Sequence, residues 1–185
     1  MLKDVYKEAE ARMKSAIQAM EEDIAGIRTG RASPALIERL LVEYYGTPTP
    51  LVQLANISVP DPRTLMIRPF DASILKNVER AILASDLNLT PNNDGKVVRL
   101  NLPPLTEERR RELVKIVHTR LEEARVAIRN VRRDSIKDLR DLEEEKSISE
   151  DELKRGEEEL QKITDRHIEE IDNIGGHKER EILEV

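Results

Sequence analysis

All nine prolines of the 185-residue chain lie in one stretch, between Pro34 and Pro104. A proline inside a helix removes a hydrogen bond and clashes with the preceding turn, so helix interiors exclude it. The first 33 residues and the last 81 residues can therefore form long helices, whereas the middle of the chain cannot. This distribution predicts a helical domain that is interrupted, after its first helix, by a smaller domain of a different kind.

Both proline-free segments carry apolar residues at every third or fourth position, which is the pattern of helices that bury one face. The second of three such stripes opens after Thr106, an expected N-cap, and the third opens after Ser149 and Glu152, which stand at capping-box spacing. We expect the first helix to end near Gly30. The stripes comprise Val5, Ala9, Met13, Ile17, Met20, Ile24 and Ile27; Leu113, Val117, Leu121, Ala124, Ile128, Val131, Ser135, Leu139 and Leu142; and Leu153, Leu160, Ile163, His167, Ile171 and Ile174.

Glycines interrupt the third helical segment at three positions. Gly156 stands where a second helix can approach closely, because glycine has no side chain. Gly175 and Gly176 each weaken a helix by about 1 kcal/mol relative to alanine, so we expect a kink or a frayed end there.

The proline-containing middle alternates apolar and polar residues around positions 40–44, 65–67 and 98–102, which indicates half-buried strands. Turns are expected at Gly46 with Pro48 and Pro50, and at Pro60 to Pro62. The run Asn-Asp-Gly at 93–95 predicts a tight hairpin. Residues 71–85 fit one helix, capped by Asp71. The middle segment therefore reads as a small β/α/β domain.

The predicted fold class is α+β: an elongated three-helix bundle from residues 1–29 and 105–185, with a β/α/β domain of residues 31–104 inserted into it. The chain crosses between the two parts twice, around residue 30 and around residues 103–105. Two domains joined in this way are expected to rotate relative to each other, so these paired linkers are a candidate hinge. An enclosed bundle also favours a monomer.

The sequence contains few of the residue patterns that catalytic sites need. There is no cysteine, which excludes disulfides, thiol nucleophiles and thiolate metal sites. The three histidines have no partner at metal-ligand spacing, and His167 lies on an apolar stripe, where a satisfied core histidine is expected. No glycine-rich phosphate loop is present. We therefore predict no enzymatic activity, no cofactor and no metal.

The ends and hydropathy of the chain indicate its compartment. The N-terminus has no apolar core of the kind a signal peptide needs, and no later stretch approaches the roughly 20 apolar residues of a membrane span. We expect a soluble cytoplasmic protein that does not bind membranes.

The net charge of -6 hides a strong asymmetry, because residues 109–140 hold 11 basic against 5 acidic residues and residues 141–185 hold 7 against 17. At 100° per residue, five arginines of the second helical segment fall within an arc of about 100° beside the apolar stripe. Only Glu122 of the nearby acids points into this arc. The five are Arg125, Arg129, Arg132, Arg133 and Arg140.

Arginine suits phosphate because its planar fork grips two oxygens and is weakly hydrated. No aromatic side chains for stacking bases lie near the row, which favours structured RNA over single strands. Two other interpretations remain open. The arginines can belong to a solvated face of a coiled-coil-like protein-interaction module without RNA binding, or an enzyme site can lie in the middle domain, although no nucleophile, base and orienting group are evident there.

Four stretches of the chain closely resemble ribosome recycling factors. They read RTGRASP at 28–34, PLTEERR at 104–110, VAIRNVRRD at 126–134 and EILEV at 181–185. The resemblance extends over the whole chain in order and in length. It departs from the family pattern at Gly175-Gly176-His177, where a helical stretch with leucine and lysine is more usual.

The resemblance implies an L-shaped factor without enzymatic activity that binds the bacterial ribosome after termination. Together with elongation factor G, which supplies GTP hydrolysis, such factors split the ribosome so that mRNA and tRNA leave. It implies that Arg129 and Arg132 contact large-subunit ribosomal RNA and that the inserted domain points toward the small subunit. The hinge it implies comprises Thr29, Gly30, Arg31, Ala32, Pro103, Pro104 and Leu105.

Overall fold

The computed structural model describes residues 1–184 and divides them into two compact units. The helical unit comprises Met1–Ile24 and Val114–Arg180, and the second unit comprises Ala25–Leu113 with the chain end from Glu181. The helices are α1 (Leu2–Ala25), α2 (Leu51–Leu54), α3 (Leu75–Ala84), α4 (Glu107–Glu144) and α5 (Glu150–Leu183). The strands are β1 (Leu41–Tyr44), β2 (Thr47–Pro50), β3 (Ala55–Asp61), β4 (Thr64–Pro69), β5 (Pro91–Asn93) and β6 (Val98–Asn101).

The predicted α+β class is confirmed, with three long helices and an inserted sheet. Within the described residues, no helix is both long and apolar enough to cross a membrane.

Long helices α1, α4 and α5 build the helical unit by burying the predicted stripes. Helices α4 and α5 run antiparallel. Arg140 pairs with Glu157 near the connecting turn, and toward the other end of the helices His118 Nε2 lies 3.2 Å from Glu179 Oε2. Fully buried side chains from all three helices form the centre of this core, among them Met13, Ile128, Leu139, Leu160 and Ile171.

The predicted caps of the long helices are confirmed. The Thr106 hydroxyl accepts a hydrogen bond from the Arg109 amide at 3.1 Å, at the start of α4. At the start of α5, the Ser149 amide donates to the Glu152 carboxylate at 2.7 Å and the Glu152 amide donates to the Ser149 hydroxyl at 3.2 Å. This reciprocal pair is a complete capping box.

Two expectations about helix ends are wrong. Helix α1 ends at Ala25 rather than near Gly30, since Gly26, a poor helix former, follows it directly. Helix α5 continues through Gly175 and Gly176 to Leu183 without a break. A β-carbon added to Gly175 would overlap the side chain of Leu121 on α4, so the glycine permits a close approach of the two helices. Close packing therefore outweighs the low helix propensity of this position.

Gly156, near the start of α5, also lies where helices pack too closely for a side chain, as the sequence predicted. An added β-carbon would lie 2.7 Å from Leu139 Cδ1 and 3.3 Å from the Tyr6 hydroxyl. The glycine thus sits where side chains of α1 and α4 reach α5. His167, also on α5, is buried as expected, and its Nδ1 lies 2.7 Å from the Ile163 carbonyl.

The second unit contains a four-stranded antiparallel sheet of order β3-β4-β6-β5 and a separate β1-β2 hairpin. Its core combines the sheet with α2 and α3, and fully buried members include Ile37, Leu51, Leu65, Ile82 and Leu100. Asp71 caps the short 3-10 turn Ala72–Ile74 that leads into α3, accepting from the Ser73 amide at 2.9 Å.

Residues with positive φ form the turns of the two hairpins in this unit. The predicted Asn-Asp-Gly turn joins β5 to β6, with Gly95 at a φ of 91°. In the β1-β2 hairpin Tyr45 and Gly46 both have positive φ, 48° and 80°, as a two-residue turn that matches strand twist requires. Pro48 and Pro50 do not mark this turn but lie in β2, which is tolerated because β2 pairs on one side only.

Candidate nucleic-acid interface

A shallow basic depression lies on the surface of α4. It has a volume of about 420 Å³ and is lined by seven side chains, of which five are cationic. None of these seven residues is acidic, although Glu122 and Glu157 outside the lining pair with Arg129 and Arg140. The lining consists of Arg129, Asn130, Arg132, Arg133, Ile136, Lys137 and Arg140. We call this surface the basic depression.

Four of the five predicted arginines meet in the basic depression because α4 returns them to one face. Arg129 and Arg140 are well exposed, at 47% and 64% of their side-chain surface. Arg133 donates a hydrogen bond to the Asn130 side chain on the same helix at 3.1 Å. The guanidinium groups are therefore held near the surface rather than folded inward.

Arg132 also lines the basic depression and is only partly exposed. Its Nη1 donates to the Oε1 atom of Gln161 on α5 at 2.5 Å. Its Nε atom is buried and has no hydrogen-bond partner among the described residues. Arg132 is thus oriented by a neutral group, which leaves the charge of its guanidinium intact.

Arg125, the fifth predicted residue, does not line the basic depression. Its Nε and Nη2 atoms donate to Asp172 Oδ1 at 3.1 and 2.6 Å, and its Nη1 donates to Glu122 at 3.3 Å. Only 24% of its side chain is exposed. The hydrogen bond to Asp172 raises the pKa of Arg125, with a smaller contribution from Glu122. We therefore assign Arg125 to the packing of α4 against α5.

Acidic residues compensate the arginine row more than the sequence predicted. Glu122 does point into the arc, and hydrogen bonds from Arg129 and then Arg125 lower its pKa. The expectation that it acts alone is wrong, because Asp172 and Glu157 reach Arg125 and Arg140 from α5. A helical projection of α4 cannot show side chains supplied by another helix.

Three residues of this surface were missed. Lys137 and Asn130 line the basic depression, and a wider arc on the same helical projection would have included both. Gln161 had no signal in the sequence, since its importance depends on the register between α4 and α5.

The predicted hinge residues all belong to the second unit, whose boundaries fall at Ile24/Ala25 and Leu113/Val114. The two linkers are cross-connected, because the Arg28 guanidinium donates to the Pro103 carbonyl. Burial lowers the pKa of Arg28, and the nearby charge of Arg109 lowers it further. Thr29, Gly30, Arg31 and Pro104 carry no regular secondary structure, and Leu105 is buried.

The turn between β3 and β4 holds both linkers where they enter the sheet. The Ala32 amide donates to the Pro62 carbonyl at 2.7 Å, and the Leu102 amide donates to the adjacent Arg63 carbonyl, also at 2.7 Å. The linker ends are therefore anchored to neighbouring peptide groups, and between these anchors lie residues 29–31 and 103–104. That these segments bend stays a prediction.

The family model for ribosome recycling factors matches residues 20–183. The chain belongs to the ribosome recycling factor family. Curated ribosome-recycling factors from Chloroflexus aurantiacus and Symbiobacterium thermophilum are 58% and 54% identical to it over 185 residues, which is 100% of each chain.

Solved structures of ribosome recycling factors resemble the chain in fold as well. A solution structure of the ribosome recycling factor matches with a TM-score of 0.79 at 49% identity, over 100% of this chain and 98% of that one. A second match describes models for the T. thermophilus ribosome recycling factor and the E. coli elongation factor G bound to the E. coli post-termination complex. It has a TM-score of 0.70 at 49% identity and covers 100% of both chains.

Proposed function

We propose that this ribosome recycling factor binds the post-termination ribosome through the basic depression of α4. Together with elongation factor G and its GTP hydrolysis, it then splits the subunits and releases mRNA and tRNA. The observation that carries the proposal is a surface with five cationic side chains and no acid among its lining residues. Such a surface suits the phosphates of structured RNA, since no lining residue is aromatic and can stack a base.

In this mechanism the protein binds RNA and transmits force, while elongation factor G hydrolyses GTP. The basic depression anchors the helical unit on large-subunit ribosomal RNA, while the inserted domain of residues 31–104 faces the small subunit. Elongation factor G then drives this inserted domain about the linkers and so strains the contacts between the ribosomal subunits. The factor works as a monomer without catalytic groups or cofactors of its own, in the cytoplasm, where ribosomes are.

Helix α4 suits this role because it continues from the second unit into the helical unit over 38 residues. At 1.5 Å per residue such a helix is about 57 Å long. A rod of this length can hold RNA at one part while transmitting force to another.

A polysome breakdown assay tests the proposal. Ribosomes stalled after termination are incubated with elongation factor G and GTP, with or without this protein, and subunits are separated by sedimentation. We expect subunits and free mRNA only when the protein is present. Intact polysomes in its presence would contradict the proposal.

Anchoring is tested separately with Arg132→Gln and with a matched control, Arg120→Gln, on the same helix. Arg120 contacts Glu123 on its own helix and lies outside the basic depression. We expect Arg132→Gln to weaken ribosome binding by about 1 to 3 kcal/mol and to reduce its salt dependence, with little change for Arg120→Gln. Equal binding by both variants would favour the alternative of a protein-interaction module, particularly if a salt-insensitive protein partner were isolated instead.

A further inference from the structure

Two consecutive hydrogen bonds link α5 to Arg132 in the basic depression. The Gln161 side chain accepts from Arg132 Nη1 through Oε1 at 2.5 Å and donates through Nε2 to Asp165 Oδ1 at 2.7 Å. Gln161 and Asp165 are one helical turn apart on α5. A carboxylate only accepts and a guanidinium only donates, so the amide has one orientation that satisfies both neighbours. Arg132 and Asp165 therefore require the same orientation of the Gln161 amide, and the hydrogen bond to Asp165 holds that amide in place.

Three arginines of the row, Arg125, Arg129 and Arg140, contact carboxylates. Arg132 and Arg133 contact neutral amides, and only the amide that holds Arg132 comes from another helix, because Asn130 lies on the same helix as Arg133. A carboxylate would neutralise the guanidinium and compete with an incoming phosphate, whereas an amide fixes its direction and leaves its charge intact.

We infer that Gln161, oriented by Asp165, is a positioning residue that presets Arg132 for a ribosomal RNA phosphate. The inference rests on the proposed function of the basic depression and adds to it a residue of another helix. A long side chain that is already held in its binding geometry loses less conformational freedom when RNA binds.

The test measures the binding of purified ribosomes to the full-length protein with two substitutions at one site. Gln161→Ala removes the acceptor, and we expect affinity to fall by about two- to tenfold, the value of ordering one flexible side chain. Gln161→Glu replaces the amide with a carboxylate that pairs with Arg132, and we expect a larger loss than for Gln161→Ala. Gln18→Ala and Gln18→Glu, at an exposed glutamine of α1, are matched controls for composition and charge and should bind as the unaltered protein does.

A double-mutant cycle shows whether Gln161 acts through Arg132. Introducing Gln161→Ala into the Arg132→Gln variant should cause no further loss of affinity, because the residue to be positioned is absent. A further loss of the same size in that background would overturn the inference, as would ribosome binding by Gln161→Ala that equals the unaltered protein. A structural role would act in both backgrounds, so the cycle separates it from positioning.

The same experiment distinguishes failure of the inference from failure of the proposed function. If Arg132→Gln binds ribosomes weakly and Gln161→Ala binds normally, only the positioning role is overturned. If Arg132→Gln itself binds as tightly as the unaltered protein, the anchoring role of the basic depression is overturned, and the positioning role falls with it.

Discussion

The α-carbon of Gly175 on α5 faces the side chain of Leu121 on α4 so closely that a β-carbon at Gly175 would overlap Leu121. Its neighbour Gly176 points about 100° away around the helix and faces open space, with no heavy atom of another element within 4 Å of an added β-carbon. Two adjacent glycines thus have different structural roles. Gly175 permits helix packing, whereas Gly176 only lowers helix propensity.

This difference predicts opposite effects of the same substitution. Gly175→Ala should destabilise the protein, because overpacking costs about 1 to 3 kcal/mol and exceeds the helix-propensity gain of about 1 kcal/mol. Gly176→Ala should stabilise it by up to about 1 kcal/mol. Urea unfolding measures both changes in the free energy of unfolding, provided that the variants and the unaltered protein have the same m-value. A stabilised Gly175→Ala variant would show that α4 and α5 can separate at low cost.

Substitutions of Arg125 and Arg129 should have different effects, the first on stability and the second on ribosome binding. Arg125→Gln removes the hydrogen bonds to Asp172 from a side chain that is 24% exposed, so we expect a loss of about 1 kcal/mol of stability and nearly unchanged binding. Arg129→Gln, at 47% exposure in the basic depression, should weaken binding and leave stability almost unaltered. Thermal melts and ribosome co-sedimentation of the two variants test the assignment, and a reversed pattern would refute it.

The capping box of α5 should make stability depend on pH. Hydrogen bonds from Ser149, first from its backbone amide, lower the pKa of Glu152 in the folded protein. A depressed carboxyl pKa adds stability above the unfolded value of about 4.3, and this contribution disappears as the pH falls through the lower folded value. Glu152→Gln should therefore lower the melting temperature at neutral pH.

The difference between Glu152→Gln and the unaltered protein should shrink as the solution is acidified below about pH 4.3. Ser149→Ala, which removes the hydroxyl acceptor of the same box, should cost about 1 kcal/mol at neutral pH. A difference for Glu152→Gln that stays constant with pH would mean that the carboxylate charge does not contribute.

The proposed hinge is tested by stiffening one linker. Gly30 has no regular secondary structure, and a β-carbon there would meet only the Glu184 carbonyl, at 3.4 Å, an ordinary contact. Gly30→Pro should preserve ribosome binding, because residue 30 lies outside the basic depression, but it should slow subunit splitting in the assay with elongation factor G. Gly30→Ala is the control for loss of the glycine alone. Splitting at the normal rate by Gly30→Pro would remove this linker from the mechanism.

The sequence predicted the secondary structure best where one local signal acted alone. Apolar stripes located α4 and α5, and the spacing of Ser149 and Glu152 located the start of α5. It was less successful where packing competed with propensity. The glycine pair at 175–176 indicated a kink, but the buried approach of Gly175 to Leu121 keeps α5 helical.

In the basic depression, too, the sequence predicted the positions of residues along one helix but not their contacts with another helix. The order of residues in α4 was sufficient to place four arginines on one helical face, because helix geometry repeats every 3.6 residues. Only the register of α5 against α4 decided which arginines of the row contact a carboxylate or an amide of α5, since Asp172, Glu157 and Gln161 lie far along the chain from Arg125, Arg140 and Arg132. The periodicity of a single helix determines where a charge points, whereas its partners depend on how the buried stripes of two helices interlock.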